Sequence, residues 1–150
     1  MEQWAPHATV ACVIERDGKY LMVEERDKSS GKMVFNQPAG HLEEGESLGA
    51  AALRETLEET GWRVELTAVL SIALHTAPNT GTTYYRTTFL AKPLARVENA
   101  ILDPDIHAVH WLDYESLLAR SARLRSPLAL AVIERYRQGI SYPLDLIQST

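Results

Sequence analysis

Three glutamates, Glu55, Glu58 and Glu59, are spaced in the sequence as neighbours on one side of a helix. Residues three and four apart share a side because each residue turns a helix by about 100°. Like charges at this spacing repel each other, and a cation bound among them relieves the repulsion. Mg²⁺ prefers oxygen ligands, accepts one or two carboxylates and bridges to phosphates. The pattern favours a divalent metal site, whereas composition alone favours the solvated face of a surface helix.

The segment that carries these acids has the composition of a helix. Residues 47–60 contain no proline and one glycine, and Gly61 follows as a stop signal. We therefore predict a helix of about four turns. Ala50, Leu53 and Leu57 project to the side opposite the acids. We expect these three residues to pack on a sheet while the acids point away from the core.

Two hairpins and two further strands are predicted around this helix. Asp17-Gly18 is a dipeptide favoured in tight hairpins, and residues 78–81 interrupt a longer alternating apolar pattern. A short run before Pro38 and Gly40 indicates another strand. The predicted strands span residues 9–14, 19–24, 33–36, 63–75, 82–94 and 107–112.

Two helices are predicted in the last quarter of the chain. Asp113 can cap a short helix that runs to Ala119. Ser126-Pro127 places a capping hydroxyl and then a proline where a helix begins, and Gly139 ends it. Because strands and helices are interspersed, the predicted fold class is α+β, a mixed sandwich.

Composition indicates one globular domain over residues 1–150. The chain is 45% apolar and 23% charged, and it lacks both a signal-peptide pattern and a long apolar run, so we expect a cytoplasmic protein with no membrane contact. The single cysteine, Cys12, is expected to pack in the core. A net charge of −5 without a basic stripe disfavours long nucleic acids as partners. An acidic protein that acts on phosphates needs a bound cation.

The segment 40–62 resembles the Nudix box, a glycine, five residues, a glutamate, seven residues, and then Arg-Glu-x-x-Glu-Glu-x-Gly with a hydrophobic residue. One position departs from the pattern, since Thr56 stands where the family usually has an aliphatic residue. The resemblance implies an α/β/α sandwich with a mixed sheet and a catalytic loop–helix–loop. The matching residues are Gly40, Glu46, Arg54, Glu55, Glu58, Glu59, Gly61 and Trp62.

The family resemblance also implies a metal-dependent enzyme. Nudix hydrolases cleave nucleoside diphosphates linked to another moiety, and related pyrophosphates, with Mg²⁺ or Mn²⁺. It implies that Glu58, Glu59 and the Gly40 carbonyl hold metal. Glu55 would hold metal or act as the base on the attacking water.

Supporting residues are implied by the same resemblance. Glu46 and Arg54 match the family's supporting pair, with Arg54 orienting the acidic face. Family members often recruit one more acid ahead of a late strand, and Asp105 occupies the comparable place, with Asp103 as its rival. A turn beside Pro104 is the plain alternative for both acids.

The segments flanking the box narrow the substrate class. Residues 35–43, 124–128 and 142–144 resemble a subfamily of bacterial phosphatases. These enzymes remove phosphate from nucleoside tri- and diphosphates, thiamin pyrophosphate and its pyrimidine precursor diphosphate. The resemblance therefore implies a small phosphorylated substrate. The sequence leaves the oligomeric state open between a monomer and a homodimer. A nucleotide-binding module of the same fold and an RNA-end pyrophosphohydrolase are the alternatives.

Candidate substrate-binding residues lie mostly on the second hairpin. Arg86 and, near the first hairpin, Arg26 are candidates for phosphate oxygens. Tyr84 or Tyr85 can stack on a base or pyrimidine ring, and alternation along the strand directs the other tyrosine into the core. His41 is expected to support the metal loop through hydrogen bonds.

Overall fold

The chain opens with a hairpin whose turn requires unusual backbone angles. In the computed structural model, which describes residues 2–149, strands β1 (His7–Arg16) and β2 (Lys19–Arg26) flank Asp17-Gly18. Asp17 and Gly18 have φ angles of 53° and 79°, as a tight two-residue hairpin turn demands. The first predicted hairpin is therefore confirmed. Met1 and Thr150, the two ends of the predicted domain, lie outside the described residues.

The strands form a mixed sheet, as predicted. Strand order is β3-β2-β1-β6-β5, with β4 paired to β1 and β7 paired to β2. The β1 and β6 strands run parallel, and the other pairs are antiparallel. The short strand β4, which contains Gly40, was not predicted because Pro38 and Gly40 read as a strand end. The remaining strands are β3 (Met33–Asn36), β4 (Ala39–His41), β5 (Trp62–Thr76), β6 (Thr83–Arg96) and β7 (Ile106–Asp113).

Strands β1 and β2 separate soon after their turn. They pair with each other at only two register positions, Glu15↔Tyr20 and Arg16↔Lys19. Farther from the turn, β1 pairs with β4 and β6, and β2 pairs with β3 and β7. The distant ends of β1 and β2 thus belong to different parts of the sheet.

Apolar side chains of the first hairpin form the centre of the core. Cys12, Ile14, Leu21 and Met22 are fully buried, which agrees with the packing role expected for the cysteine. Burial of a large aliphatic side chain contributes roughly 1.5–3 kcal/mol. Burial also raises the pKa of the Cys12 thiol to about 11. This thiol therefore stays protonated and contributes to packing.

Three α-helices and two short 3-10 segments of the described chain accompany the sheet. Helix α1 (Leu48–Thr60) carries the glutamates, α2 (Tyr114–Ala119) follows β7, and α3 (Pro127–Arg137) follows a short 3-10 turn. The second short 3-10 segment is Leu144–Leu146. Between residues 2 and 149, no helix is long and apolar enough to cross a membrane.

Capping interactions fix both ends of α1. The Ser47 side chain accepts a hydrogen bond from the Ala50 backbone N–H. At the other end Gly61 adopts the left-handed conformation, with φ of 74°, and donates its N–H to the Leu57 carbonyl. The predicted helix is therefore confirmed within one residue of its predicted start.

The predicted packing face of α1 is wrong. The helix contacts the sheet through its smaller residues Ala51, Ala52 and Thr56, which are buried, whereas Leu53 is 40% exposed. Small side chains let the helix backbone approach β1 closely, and the Cys12 thiol lies 3.9 Å from the Ala52 carbonyl oxygen. As a result the acids do not all point away from the core, and Glu59 is itself buried.

Candidate active site

A cleft of about 1160 Å³ opens beside helix α1 and collects most of the predicted site residues. It lies where β1 and β2 have separated, so that the start of β1 and the end of β2 both reach it. The predicted residues that line it are Arg26, Gly40, Glu55, Glu59, Tyr84, Arg86 and Asp105, together with the rival acid Asp103. Glu46, Arg54 and Glu58 stand next to this lining.

Arg54 joins the loop before α1 to the acidic face of the helix. Its Nε and Nη2 donate to the two carboxylate oxygens of Glu46 at 2.6 and 2.8 Å, a bidentate arrangement. Its Nη1 donates to Glu55 at 2.8 Å and to Glu58 at 3.3 Å. The Nη2 atom also donates to the His41 carbonyl at 3.1 Å. One guanidinium therefore fixes the glutamates and the loop relative to each other.

The charges of this network shift the pKa values of Glu46 and Arg54. Hydrogen bonds from Arg54 lower the pKa of Glu46 to about 2. The same contacts raise the pKa of Arg54 above its usual range. Both groups are therefore ionised at neutral pH, and the pair remains a charge-assisted one.

Glu59 and Glu55 differ from Glu46 because they are removed from solvent. Burial raises the pKa of Glu59 to about 9, although its Oε1 accepts a hydrogen bond from the Ala39 N–H at 2.8 Å. Burial also raises the pKa of Glu55, and the nearby Arg54 opposes that shift. Both carboxyls are thus poorly solvated, and a bound cation would favour their charged form.

Gly40 leaves room for the Glu55 carboxyl. A Cβ added at Gly40 would overlap the carboxyl carbon and both oxygens of Glu55, closer than real side chains approach. The backbone of β4 therefore lies directly against this carboxylate, and only glycine permits the approach. A carbonyl-bearing strand beside a cluster of carboxylates is a set of hard oxygen donors.

These donors fit a divalent cation that keeps part of its hydration. Among residues 2–149 no three acidic, histidine or cysteine side chains converge as a complete metal cage. Mg²⁺ rarely uses such a cage, because it keeps several waters and binds through one or two carboxylates and substrate phosphates. Glu55, Glu59 and the strand at Gly40 offer that partial set.

The two late acids occupy one loop on the cleft. Asp103 receives a hydrogen bond from the Asp105 N–H at 2.9 Å, and its own N–H donates to the Glu58 carbonyl at 2.9 Å. The Asp105 carboxylate pairs with Lys28 at 3.1 Å, and this pair is largely exposed. Backbone contact thus ties Asp103 to helix α1, while Asp105 faces the loop after β2.

The register of the sheet explains which hairpin residues face the cleft. Thr9 of β1 lies opposite both His41 and Arg86, and Tyr84 is two residues from Arg86, so these four side chains share a face. Tyr85 lies on the other face. The expectation that the second tyrosine packs in the core is wrong, since Tyr85 is 43% exposed.

Aromatic and imidazole rings gather beside the box. His41 Nε2 and His7 Nδ1 are 3.1 Å apart, and the Tyr84 ring meets both imidazoles edge to face. Partial burial lowers the pKa of His41, and the adjacent His7 adds to the effect. His41 thus contacts other rings through its side chain and supports Arg54 through its carbonyl.

Arg26 lines the cleft at the end of β2 but is already engaged. Its Nη1 donates to the Gly31 carbonyl at 2.7 Å and so closes the loop that follows β2. This contact leaves Arg26 at the rim, where its role in holding the loop competes with contact to a substrate.

Sequence reasoning missed several polar residues of the cleft. Glu25 is 9% exposed and accepts a hydrogen bond from Arg125 at 2.7 Å. Asn36 and Gln37 are buried beside Arg86. A signal for Glu25 exists in the sequence, an acid at the end of an apolar strand. The irregular register of β2 and β7 at Glu24/Glu25 hides which way it points.

Helix α1 and its flanking loops bring poorly solvated carboxylates to a cleft on a mixed sheet, and these oxygen donors suit a divalent cation. The chain belongs to the Nudix family, because the NUDIX domain model matches residues 5–131. The resemblance found in the box is thereby confirmed, as is its implication that the protein is an enzyme, a pyrophosphohydrolase or phosphatase. Nudix hydrolases generally use divalent metal ions and act on small phosphorylated substrates.

Relatives and solved structures agree with this assignment. The chain is 39% identical to Phosphatase NudJ of Escherichia coli (strain K12) and of Shigella sonnei, over 95% of this chain and 90% of each relative. A NUDIX hydrolase from Nitrosomonas europaea is 41% identical, covers 97% of this chain and 98% of its own, and superimposes with a TM-score of 0.94. This likeness confirms the α/β/α sandwich.

A solved structure of lower sequence identity shares only the fold with this chain. The C. elegans Ap4A hydrolase is 18% identical, with coverage of 89% of this chain and 96% of its own, and a TM-score of 0.69. The sandwich is therefore retained where most of the sequence differs.

Proposed function

We propose that this chain hydrolyses phosphoanhydride bonds in small substrates with Mg²⁺, for which Mn²⁺ can substitute. We propose further that residues 1–150 act as one hydrolase domain. The observation that carries the proposal is the shared cleft, which combines the half-buried Glu55 and the buried Glu59 carboxyls with the buried cation Arg86. Carboxylates alone would repel a phosphate, so this combination suits a substrate that arrives with a divalent cation.

In this proposal the residues of the box have different roles. Glu58, Glu59 and the Gly40 carbonyl hold the cation, and Asp105 adds an acid from the late loop. Glu55 holds the cation or acts as the base. The bound cation would supply positive charge that acidifies an attacking water and neutralises phosphate oxygens.

Glu55 is the proposed general base. Its carboxyl is half-buried, and Arg54 holds one of its oxygens at 2.8 Å, so its orientation is fixed before substrate binds. The other oxygen is available to accept a proton from a water aligned for in-line attack on phosphorus. Arg54 and Glu46 position this base and do not touch the reacting atoms.

The proposed substrates are nucleoside tri- and diphosphates, thiamin pyrophosphate and hydroxymethylpyrimidine diphosphate. Support comes from the 39% identity to proteins named Phosphatase NudJ and from the Tyr84 ring on the cleft. Tyr84 offers a face or edge to a heteroaromatic ring, and Arg86 and Arg26 offer cations to phosphate oxygens. Tyr85 does not line the cleft, so we assign it no substrate contact.

Two other functions fit the chain less well than hydrolysis of small substrates does. A binding module of this fold is disfavoured because each of the box acids is present. An RNA-end pyrophosphohydrolase is disfavoured by the net charge of −5.

A phosphate-release screen tests the proposal. Purified protein is incubated with nucleoside tri- and diphosphates, thiamin pyrophosphate and hydroxymethylpyrimidine diphosphate, with Mg²⁺, Mn²⁺ or EDTA, and the products are identified. We expect metal-dependent release of orthophosphate. Release of pyrophosphate would contradict the phosphatase assignment, and absence of turnover with each metal and substrate would contradict the enzyme assignment for this set.

A further inference from the structure

Arg86 is a buried guanidinium that lacks a carboxylate partner. It is 7% exposed, and within residues 2–149 it takes part in no ion pair. Its Nη2 donates to two neutral amide oxygens, on Gln37 at 2.9 Å and on Asn36 at 3.4 Å. Its Nε is buried without a hydrogen-bond partner among the described residues.

A buried charge of this kind is unfavourable unless something compensates it. Removing a cation from water costs free energy that neutral acceptors recover only in part. Burial accordingly lowers the pKa of Arg86 to about 10, which still leaves the group charged at neutral pH. Since Arg86 lines the open cleft, a negative partner in direct contact with it can come from a ligand.

Arg125 lines the same cleft as Arg86 and Arg26. Arg125 precedes α3, and its backbone N–H donates to the Phe35 carbonyl at 2.9 Å, which ties this segment to β3. Its Nη1 donates to Glu25 at 2.7 Å, and its side chain is 41% exposed. The charge of Arg125 contributes to the lowered pKa of Arg86, so the two cations are near enough to repel.

Gln37 holds the first of these arginines in place. Its Oε1 accepts from Arg86, and its Nε2 donates to the Ala129 carbonyl in the first turn of α3 at 2.6 Å. Gln37 is 1% exposed, so its amide cannot exchange these partners for water. The guanidinium of Arg86 is therefore presented to the cleft in a fixed orientation.

We propose that Arg86 and Arg125 form a binding subsite for one phosphate group of a diphosphate. An anion between the two guanidinium groups relieves their repulsion and gives Arg86 a direct negative partner, whereas Glu25 and Glu59 act on it only from beyond ion-pair distance. Guanidinium groups suit this task because their planar donors match phosphate oxygens. The inference rests on the proposed function, since it assumes that the cleft holds a phosphoanhydride.

Binding of inorganic pyrophosphate, measured by calorimetry in EDTA, tests the subsite without turnover. The variants are Arg125→Gln, which alters a half-exposed residue, and Arg86→Lys, which keeps the charge but loses the planar donors. Arg96→Gln, at the exposed end of β6 outside the cleft, is the control. Thermal melting confirms that each variant is folded.

We expect each cleft variant to bind pyrophosphate at least about tenfold more weakly, the loss of one charge-assisted contact. Arg96→Gln should remain within about twofold of the unaltered protein. With a diphosphate substrate, Arg125→Gln should raise KM with little change in kcat, because the contact is present before and during reaction.

Three results would decide the matter. Unchanged pyrophosphate affinity in Arg125→Gln, or an equal loss in Arg96→Gln, overturns the subsite even if the enzyme is active. Weakened binding in the cleft variants alone supports the subsite. Weakened binding would still support the subsite if the protein turned over no substrate. That outcome would contradict only the proposed function.

Discussion

Replacement of Gly40 by alanine tests whether the position of the Glu55 carboxyl against β4 is required for activity. The φ angle of Gly40 is not positive, so alanine can adopt this backbone without strain. The three atoms nearest the added methyl all belong to the Glu55 carboxyl, and each would overlap it. We therefore expect the fold to survive while the carboxyl moves.

The size of the effect follows from the displacement. The overlap involves the carboxyl carbon and both oxygens. To restore van der Waals contact with the new methyl, the Glu55 carboxyl must move by on the order of 1 Å. Misplacement of a catalytic group by that amount costs about a hundredfold in rate, or roughly 2.7 kcal/mol of activation free energy. Most of the loss should appear in kcat.

The assay is Mg²⁺-dependent phosphate release from the best substrate of the screen. Gly49→Ala is the matched control, because its methyl would meet only the flexible end of Leu66, at 3.3 Å. Melting temperatures of both variants report on the fold. A Gly40→Ala enzyme with kcat/KM within about threefold of the control would refute the placement of Glu55 as the base.

Three further predictions follow. Glu55→Gln should abolish turnover yet leave the melting temperature nearly unchanged, and a near-normal rate would exclude Glu55 as the base. Tyr84→Leu should raise KM for substrates with a heteroaromatic ring, while Tyr85→Leu, on the other face, should not; equal effects would remove Tyr84 from the substrate site. In metal-free protein the melting temperature should fall as pH rises from about 4.5 toward 9. The reason is that the folded state holds the proton of Glu59 up to a pKa of about 9, whereas the unfolded chain releases it near 4.5. Between these two values each rise in pH favours the unfolded chain. Glu59→Gln should flatten this part of the profile, and an unchanged slope in that variant would assign the effect to other groups.

The elements that carry the acids were accessible from the sequence because local signals define them. Gly61 and the helix formers before it predict α1, and the Asp17-Gly18 dipeptide predicts the first hairpin, each without tertiary information. The box spacing then identifies the family, since its residues act as a unit. These parts depend on short-range geometry.

The packing face of α1 could not be predicted by the same reasoning. A rule that places large apolar residues inside selects Leu53, yet the close approach of β1 favours the small side chains Ala52 and Thr56. The environment of Glu59 follows from this choice, because the helix turns that acid inward. Helix propensity and apolar periodicity do not predict how closely a helix approaches its sheet.

The substrate side of the cleft was also hidden, for a different reason. Arg125 and Glu25 are 100 positions apart in the chain, and only the pairing of β3 with the segment before α3 brings them together. Arg86 could be named from its strand, but only the three-dimensional structure shows that no described carboxylate lies within ion-pair distance of it.

The separation of β1 from β2 places the residues of the box and the other residues of the cleft in different stretches of the chain, which affects how the enzyme can evolve. The box and its acids occupy one continuous stretch, residues 40–62, which closes its own hydrogen-bond network through Arg54. The remaining cleft residues come from distant stretches that meet at the gap between the strands. Substitutions and loop insertions there can alter which molecule is accepted while the hydrolytic stretch keeps its internal contacts. A family built in this way can change its substrates without rebuilding its chemistry.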